Sequence, residues 1–343
     1  MADTKKEHYV PRCYLEHFEG TDGRVKVFDK KLNQERNQLK EEIAFENYFY
    51  DIKFDEIIKK IDSGKHQAMQ DDIKRLTGVN NWDEIKKRLM NSKYIEKDFL
   101  SKIEGEYGNL LKVIIAKSYN GNDWVIKNCR PFSPDEKAYL SFFIAIQAIR
   151  TKTYREIIKQ TIEKGYKALI YKQLNNSEDP IPEDSFSIKV SDDFVKLQHA
   201  QTLLDEDVSV DLAETFLDHI WVMYVNKTTL PFYTSDNPVL TIPHKKDKHR
   251  SYSGFASEGI EIVFPVTPNL LIAMYDKNIY SKYYKDLSFI ALTNTDKIEY
   301  FNRVQVERSF RCIFSSTNDF EFAKQLCDRF PQICDSSNLI TVI

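Results

Sequence analysis

The tetrapeptide Ser133-Pro134-Asp135-Glu136 and the run that follows it constrain this chain most. Serine is a good N-cap, proline suits the first helical position, and a glutamate three residues after the serine closes a capping box. The helix so opened runs through Tyr139-Leu140-Ser141-Phe142-Phe143-Ile144-Ala145-Ile146, apolar almost all round. Such a helix is stable only when other elements surround it, so the spacing predicts a central buried helix. It ends at Gln147, Arg150 and Thr151, after which a more ordinary amphipathic pattern runs to about residue 175. Arg150 shares a face with Phe143 and Ile146, and an arginine there must meet a carboxylate, a phosphate or solvent.

The apolar period changes near residue 218. Upstream, from about 54 to 117 and from about 191 to 217, apolar residues recur every third or fourth place. One helix there, Phe99 to Lys117, carries a core stripe of Ile103, Tyr107, Leu110 and Ile114. Glu104 sits on its flank with Gly108, Leu111 and Ile115, so a semi-buried carboxylate is expected, with the glycine giving it room. Downstream, Ile220 to Val225 alternates as a strand, with further strands at 239–242, 260–264, 270–275 and 311–314. Helices are expected at 296–309 and 319–329. Val25 to Asp29 and Glu46 to Tyr50 read as N-terminal strands. The fold class is therefore α+β: a helical middle region, a mostly antiparallel C-terminal sheet and an N-terminal segment packed on it. The expected divisions are 1–53, 54–218 and 219–343, with the first and last forming one unit.

Two short stretches carry unusual polar groups. In Phe232-Tyr233-Thr234-Ser235-Asp236-Asn237-Pro238-Val239 four small polar residues interrupt an apolar run. Asn237 precedes proline and is pushed towards extended or turn backbone. The corner would hold Asp236 in fixed geometry at a strand end, or serve only as an Asx-turn that stops the strand. The second stretch is His8-Tyr9-Val10-Pro11-Arg12-Cys13-Tyr14-Leu15-Glu16-His17-Phe18.

These two stretches, with Gln147 to Thr151 and Phe264-Pro265-Val266-Thr267-Pro268, resemble the domain of unknown function 4238 family, a large and mostly bacterial group. Its members typically begin with His-Tyr-Val-Pro and then a Tyr-Leu pair and a Phe. The likeness covers about residues 7 to 315, and Cys13 departs from it where a bulky apolar residue is usual. The resemblance implies continuity of fold and a set of candidate residues, but no reaction. The family's bacterial setting implies, by association alone, a toxin or phage-defence effector.

Composition narrows the rest. With 42% hydrophobic and 13% aromatic residues, 343 positions suffice for a large core. A net charge of −3 argues against a uniformly cationic coat. The five cysteines show no zinc spacing. Nothing reads as a signal peptide or a membrane span, so a cytoplasmic protein without a membrane partner is expected. The nucleotide, metalloprotease and nucleophile-elbow motifs are missing, and 10 glycines leave little for a phosphate cradle.

What remains is His8, Glu46, Glu104, Arg150, Asp236 and Asn237. Asp236 and Glu104 would hold Mg²⁺ or Mn²⁺ through oxygen, His8 would act as a base, and Arg150 would meet a phosphate. That set reads as a metal-assisted, nuclease-like hydrolase of phosphodiester bonds acting on nucleic acid or nucleotide. The rival is a non-catalytic binding or sensor protein, with a protein partner, in which His8 pairs with Asp236 and Arg150 with Glu104.

Overall fold

In the computed structural model the described residues are 6–50, 79–90, 94–119, 123–175, 185–247, 250–337, 339 and 340, with isolated positions at 58, 59, 62, 67, 70, 71, 74, 75 and 182. Much of the helical stretch expected between 54 and 94 lies outside them. The N-terminal elements are β1 (Lys6–His8), α1 (Arg12–Leu15), β2 (Val25–Asp29), β3 (Gln34–Gln38) and β4 (Phe45–Asn47). The helical middle contains α2 (Trp82–Met90), a π-helical turn (Tyr94–Leu100), α3 (Ser101–Tyr119), α4 (Asp123–Asn128), α5 (Pro134–Ile149), α6 (Lys152–Leu174), α7 (Asp192–Leu204) and α8 (Glu206–Leu217). Then come β5 (Ile220–Asn226), β6 (Thr234–Ser235), β7 (Leu240–Pro243), β8 (Ile260–Thr267), β9 (Leu270–Tyr275), α9 (Lys277–Tyr280), β10 (Ser288–Leu292), α10 (Asp296–Arg308), β11 (Cys312–Ser315) and α11 (Glu321–Arg329).

The capping box forms as its sequence dictates. Ser133 Oγ accepts the Glu136 N–H at 3.2 Å, and Glu136 Oε2 accepts the Ser133 N–H at 2.8 Å. Its helix α5 buries Leu140, Phe143, Ile144, Ile146 and Ile149, while Tyr139 is 65% exposed. One edge therefore reaches solvent, where burial all round was expected. α5 and α8 pack on one face of a five-stranded sheet ordered β10-β5-β9-β8-β7. Strand alternation divides that sheet's side chains: Trp221, Met223, Ile272 and Met274 join the helical core, whereas Val222, Tyr224, Leu271 and Ala273 pack against Ile298 and Phe301 of α10. β10 runs parallel to β5 and the other pairings are antiparallel.

The chain's two ends share a second sheet. Its order is β3-β2-β11-β6, so the N-terminal hairpin pairs with residues 312–315, which in turn pair with the strand before Asp236. The N-terminal segment is also bonded to the larger sheet, because Tyr14 donates its phenol proton to Pro265 O at 2.6 Å and lies 2.6 Å from Thr234 Oγ1. An α+β fold with this packing agrees with the sequence reading. Among the described residues no helix is long and apolar enough to cross a membrane.

Candidate functional site

The N-terminal motif is held by three neighbours. β1 pairs with β4, which sets His8 opposite Phe45 with ring centroids 5.7 Å apart. α1 lies against α3, and a Cβ on Gly108 would come within 3.1 Å of Cys13 Cβ. That glycine makes room for Cys13, not for Glu104 as its helical spacing implies. The third neighbour is the junction between α5 and α6. Arg150 caps α5 with φ −85° and ψ −6°, and Thr151, at ψ 160°, caps α6 by accepting the Tyr154 N–H. The break turns the Arg150 side chain inward, where it is 1% exposed.

Around that guanidinium the expected residues partly converge. Arg150 Nη2 donates to Glu104 Oε1 at 2.8 Å and to the His8 carbonyl at 2.6 Å. Tyr50 donates its phenol proton to the Arg150 carbonyl at 3.2 Å. Glu96, on the π-helical turn, lies beside the His8 backbone, which acts to lower its carboxyl. His8, Glu104 and Arg150 thus form one cluster, to which Glu96 and Tyr50 are additions. A spacing of eight puts Glu96 two turns before Glu104, which is its only trace in the sequence.

Electrostatics sets the protonation states. Burial, then the charges of Arg12 and Arg150, push the His8 imidazole down to about 4, so it is neutral at pH 7. The nearby Glu41 backbone opposes that shift, and the ring's Nε2 has no partner. Burial raises the Glu96 carboxyl, whose Oε2 is likewise unpartnered. Arg150 Nε, Tyr107 Oη and Gln147 Oε1 complete a group of five buried polar atoms without partners. Each such atom costs about 1–3 kcal/mol, and a concentration of them marks a place where fold stability was not the only requirement.

The second motif behaves differently. Asp236 is 1% exposed, and its carboxylate accepts three backbone N–H bonds: Phe310 on Oδ1 at 2.8 Å, and Arg311 and Cys312 on Oδ2 at 2.8 and 2.7 Å. Burial pushes the carboxyl up to about 6, opposed by those bonds and by Lys30. Lys30 is itself buried, donating to Val306 O, Ser309 O and Ile333 O. Ser235 Oγ accepts the Asn237 N–H at 3.1 Å, and Asn237 Nδ2 donates to Arg308 O at 3.1 Å. Asp236 and Asn237 thereby staple the β6 corner to the loop between α10 and β11. Asp236 does not make the local Asx-turn, since its oxygens serve residues 74 to 76 positions away. Among the described residues no hydrogen bond or ion pair joins it to His8 or to Glu104, whereas the Arg150–Glu104 pair is formed. Glu46 lies apart, paired with Lys152 at 3.0 Å.

As a cation site, the expected pair of Asp236 and Glu104 is divided between these two places. Asp236 already faces three N–H donors, which a cation would repel. Among the described residues no three His, Cys, Asp or Glu side chains are grouped to hold a metal ion. Among known proteins, the family profile described as "Protein of unknown function (DUF4238)" matches residues 6–319. No curated protein and no solved structure matches the chain.

Proposed function

The chain belongs to the DUF4238 family, and we propose that its N-terminal motif builds the acid–base centre of a hydrolase acting on phosphodiester-type substrates in nucleic acid or nucleotides. The observation that carries this reading is the neutral His8 imidazole with its bare, buried Nε2. Such a nitrogen takes a proton from an attacking water. Glu96, its carboxyl raised by burial, is the proton donor to the leaving oxygen. Arg150 offers its unpartnered Nε–H to a phosphoryl oxygen while Glu104 holds the guanidinium in place. Glu104, 20% exposed, is the side from which substrate approaches. The same chemistry fits a nuclease-like toxin or phage-defence effector.

The test is turnover of bis(p-nitrophenyl) phosphate and of labelled DNA and RNA oligonucleotides, with and without EDTA. Wild type is expected to hydrolyse at least one, and His8→Gln to lose at least a hundredfold with its fold intact. Turnover that persists in EDTA fits the proton-transfer steps alone, and loss in EDTA assigns an essential part to Mg²⁺ or Mn²⁺. Equal turnover in wild type and His8→Gln would overturn the reading. A second reading, a non-catalytic binding or sensor protein, is favoured by the closed Arg150–Glu104 pair and by the saturated Asp236 carboxylate. It expects no turnover by any variant and a partner protein recovered by wild type but not by surface variants.

A further inference from the structure

On the face of the five-stranded sheet away from the helical layer, two segments bring tyrosines and cations together. The stretch from 277 to 285 reads Lys-Asn-Ile-Tyr-Ser-Lys-Tyr-Tyr-Lys, and residues 244 to 252 include Lys245, Lys246, Arg250 and Tyr252. Glu261 fixes where the two segments meet. Its carboxylate, 2% exposed, lies 2.9 Å from His244 Nε2 and accepts the hydroxyls of Tyr275 at 2.9 Å and Tyr300 at 3.2 Å. Tyr284 stacks on Tyr275 at 4.2 Å, and the His244 ring lies 6.2 Å from Tyr280. Arg250 sits over Tyr252 at 5.3 Å. His244, Tyr280, Tyr275 and Tyr284 therefore form a chain of ring contacts on the strands, Tyr275 itself being buried.

Charge around those rings is not neutralised. Lys245 pairs with Glu258 and Lys277 with Asp218. Among the described residues Lys246, Arg250, Lys282 and Lys285 have no carboxylate partner, and all four are exposed. Tyr283 is 74% exposed beside Lys282. In a chain of net charge −3 this is a local excess of cations interleaved with flat rings.

We propose that this surface binds single-stranded nucleic acid, the cations taking phosphates and the tyrosines stacking unpaired bases. Phosphate contacts supply a sequence-independent, salt-sensitive attraction, and each stacked base adds to it whatever its identity, because every base has a flat face. A duplex hides its base faces and would use the cations alone. An anionic membrane would also use the cations, but the sole large aliphatic side chain exposed here among the described residues is Ile279, at 36%. The surface lies on the sheet face opposite the helical core that contains Arg150, and this inference does not rest on the hydrolytic reading.

The test is fluorescence anisotropy in EDTA at low salt, using labelled oligo(dT) of about 20 nucleotides, beyond the roughly 4–16-nucleotide footprint of such surfaces. The same-length duplex and phosphatidylserine vesicles are run beside it. Wild type is expected to bind the single strand more tightly than the duplex. The triple variant Lys246→Glu, Arg250→Glu, Lys282→Glu should bind at least tenfold more weakly, its salt slope shallower by about 0.7 for each phosphate it no longer neutralises. Tyr283→Ala should weaken the single strand several-fold and leave the duplex unchanged. Failed hydrolysis by wild type with intact strand binding would count against the hydrolytic reading alone. No binding to the single strand, equal binding by wild type and triple variant, or vesicle binding without strand binding would overturn the proposal.

Discussion

The chain's two polar stretches, around His8 and around Asp236, are built from similar residues and put them to opposite use. Around Asp236 every strong polar group is matched: three N–H donors on the carboxylate, three carbonyls on Lys30, an amide and a hydroxyl tying the corner down. Around His8 an equally buried set leaves five polar atoms without partners. A saturated buried network specifies a fold, whereas an unsaturated one has polar atoms open to a further group. The difference separates a carboxylate that ties the scaffold together from a cluster whose polar atoms are left open.

The largest effect expected on that comparison is from Asp236→Ala. It strands three backbone N–H groups, so a loss of about 3 kcal/mol or more is expected in urea unfolding at pH 7.5. A loss below about 1 kcal/mol would mean the corner is not the staple its geometry indicates.

Acid sharpens the contrast. His8 is held down to about 4 in the folded protein against an ordinary 6.5, so the unfolded chain binds more protons between those values. Stability from this group is fully present above pH 6.5 and is lost as pH falls towards 4, by about 3 kcal/mol in all. His199, pushed down to about 3 by burial and Arg155, acts in the same sense, and Asp236, pushed up to about 6, acts in the opposite one. The His8 share is therefore read as the difference between wild type and His8→Gln across pH 7 to 4. Parallel curves for the two proteins would show that His8 is not held neutral.

Smaller effects follow at the rim. Glu104→Gln removes the charge facing Arg150 but keeps an acceptor, and because that side chain is partly exposed a loss of about 1–2 kcal/mol is expected in thermal melts. Gly108→Ala should change stability least. Its helix gains about 1 kcal/mol in propensity, and the 3.1 Å approach to Cys13 Cβ offsets most of it. A loss above about 3 kcal/mol would show that α1 and α3 cannot separate by even a few tenths of an ångström.

Much of the fold was legible where the signal is local. The Ser133 capping box, the Ser191 cap, the β2 alternation and the period-two run of β5 form where the residues place them. β3 was not legible, because Gln34-Glu35-Arg36-Asn37-Gln38 has no apolar alternation; it is an exposed edge strand whose polarity discourages further pairing. β10 takes its place through a parallel pairing across more than sixty residues, which no short pattern encodes. The candidate site divides the same way. Residue types and a semi-buried Glu104 could be read, and the Arg150–Glu104 pair was weighed. The destination of the Asp236 carboxylate and the entry of Glu96 could not be read, since both depend on contacts set by tertiary packing.

The most direct measurement is urea unfolding of Asp236→Ala and His8→Gln side by side at pH 7.5. Gln at position 8 keeps a polar side chain beside the Glu41 backbone and removes the unpartnered nitrogen, so it should cost about 1 kcal/mol or less while Asp236→Ala costs at least threefold more. Equal losses would contradict the division between a saturated scaffold and an unsaturated centre.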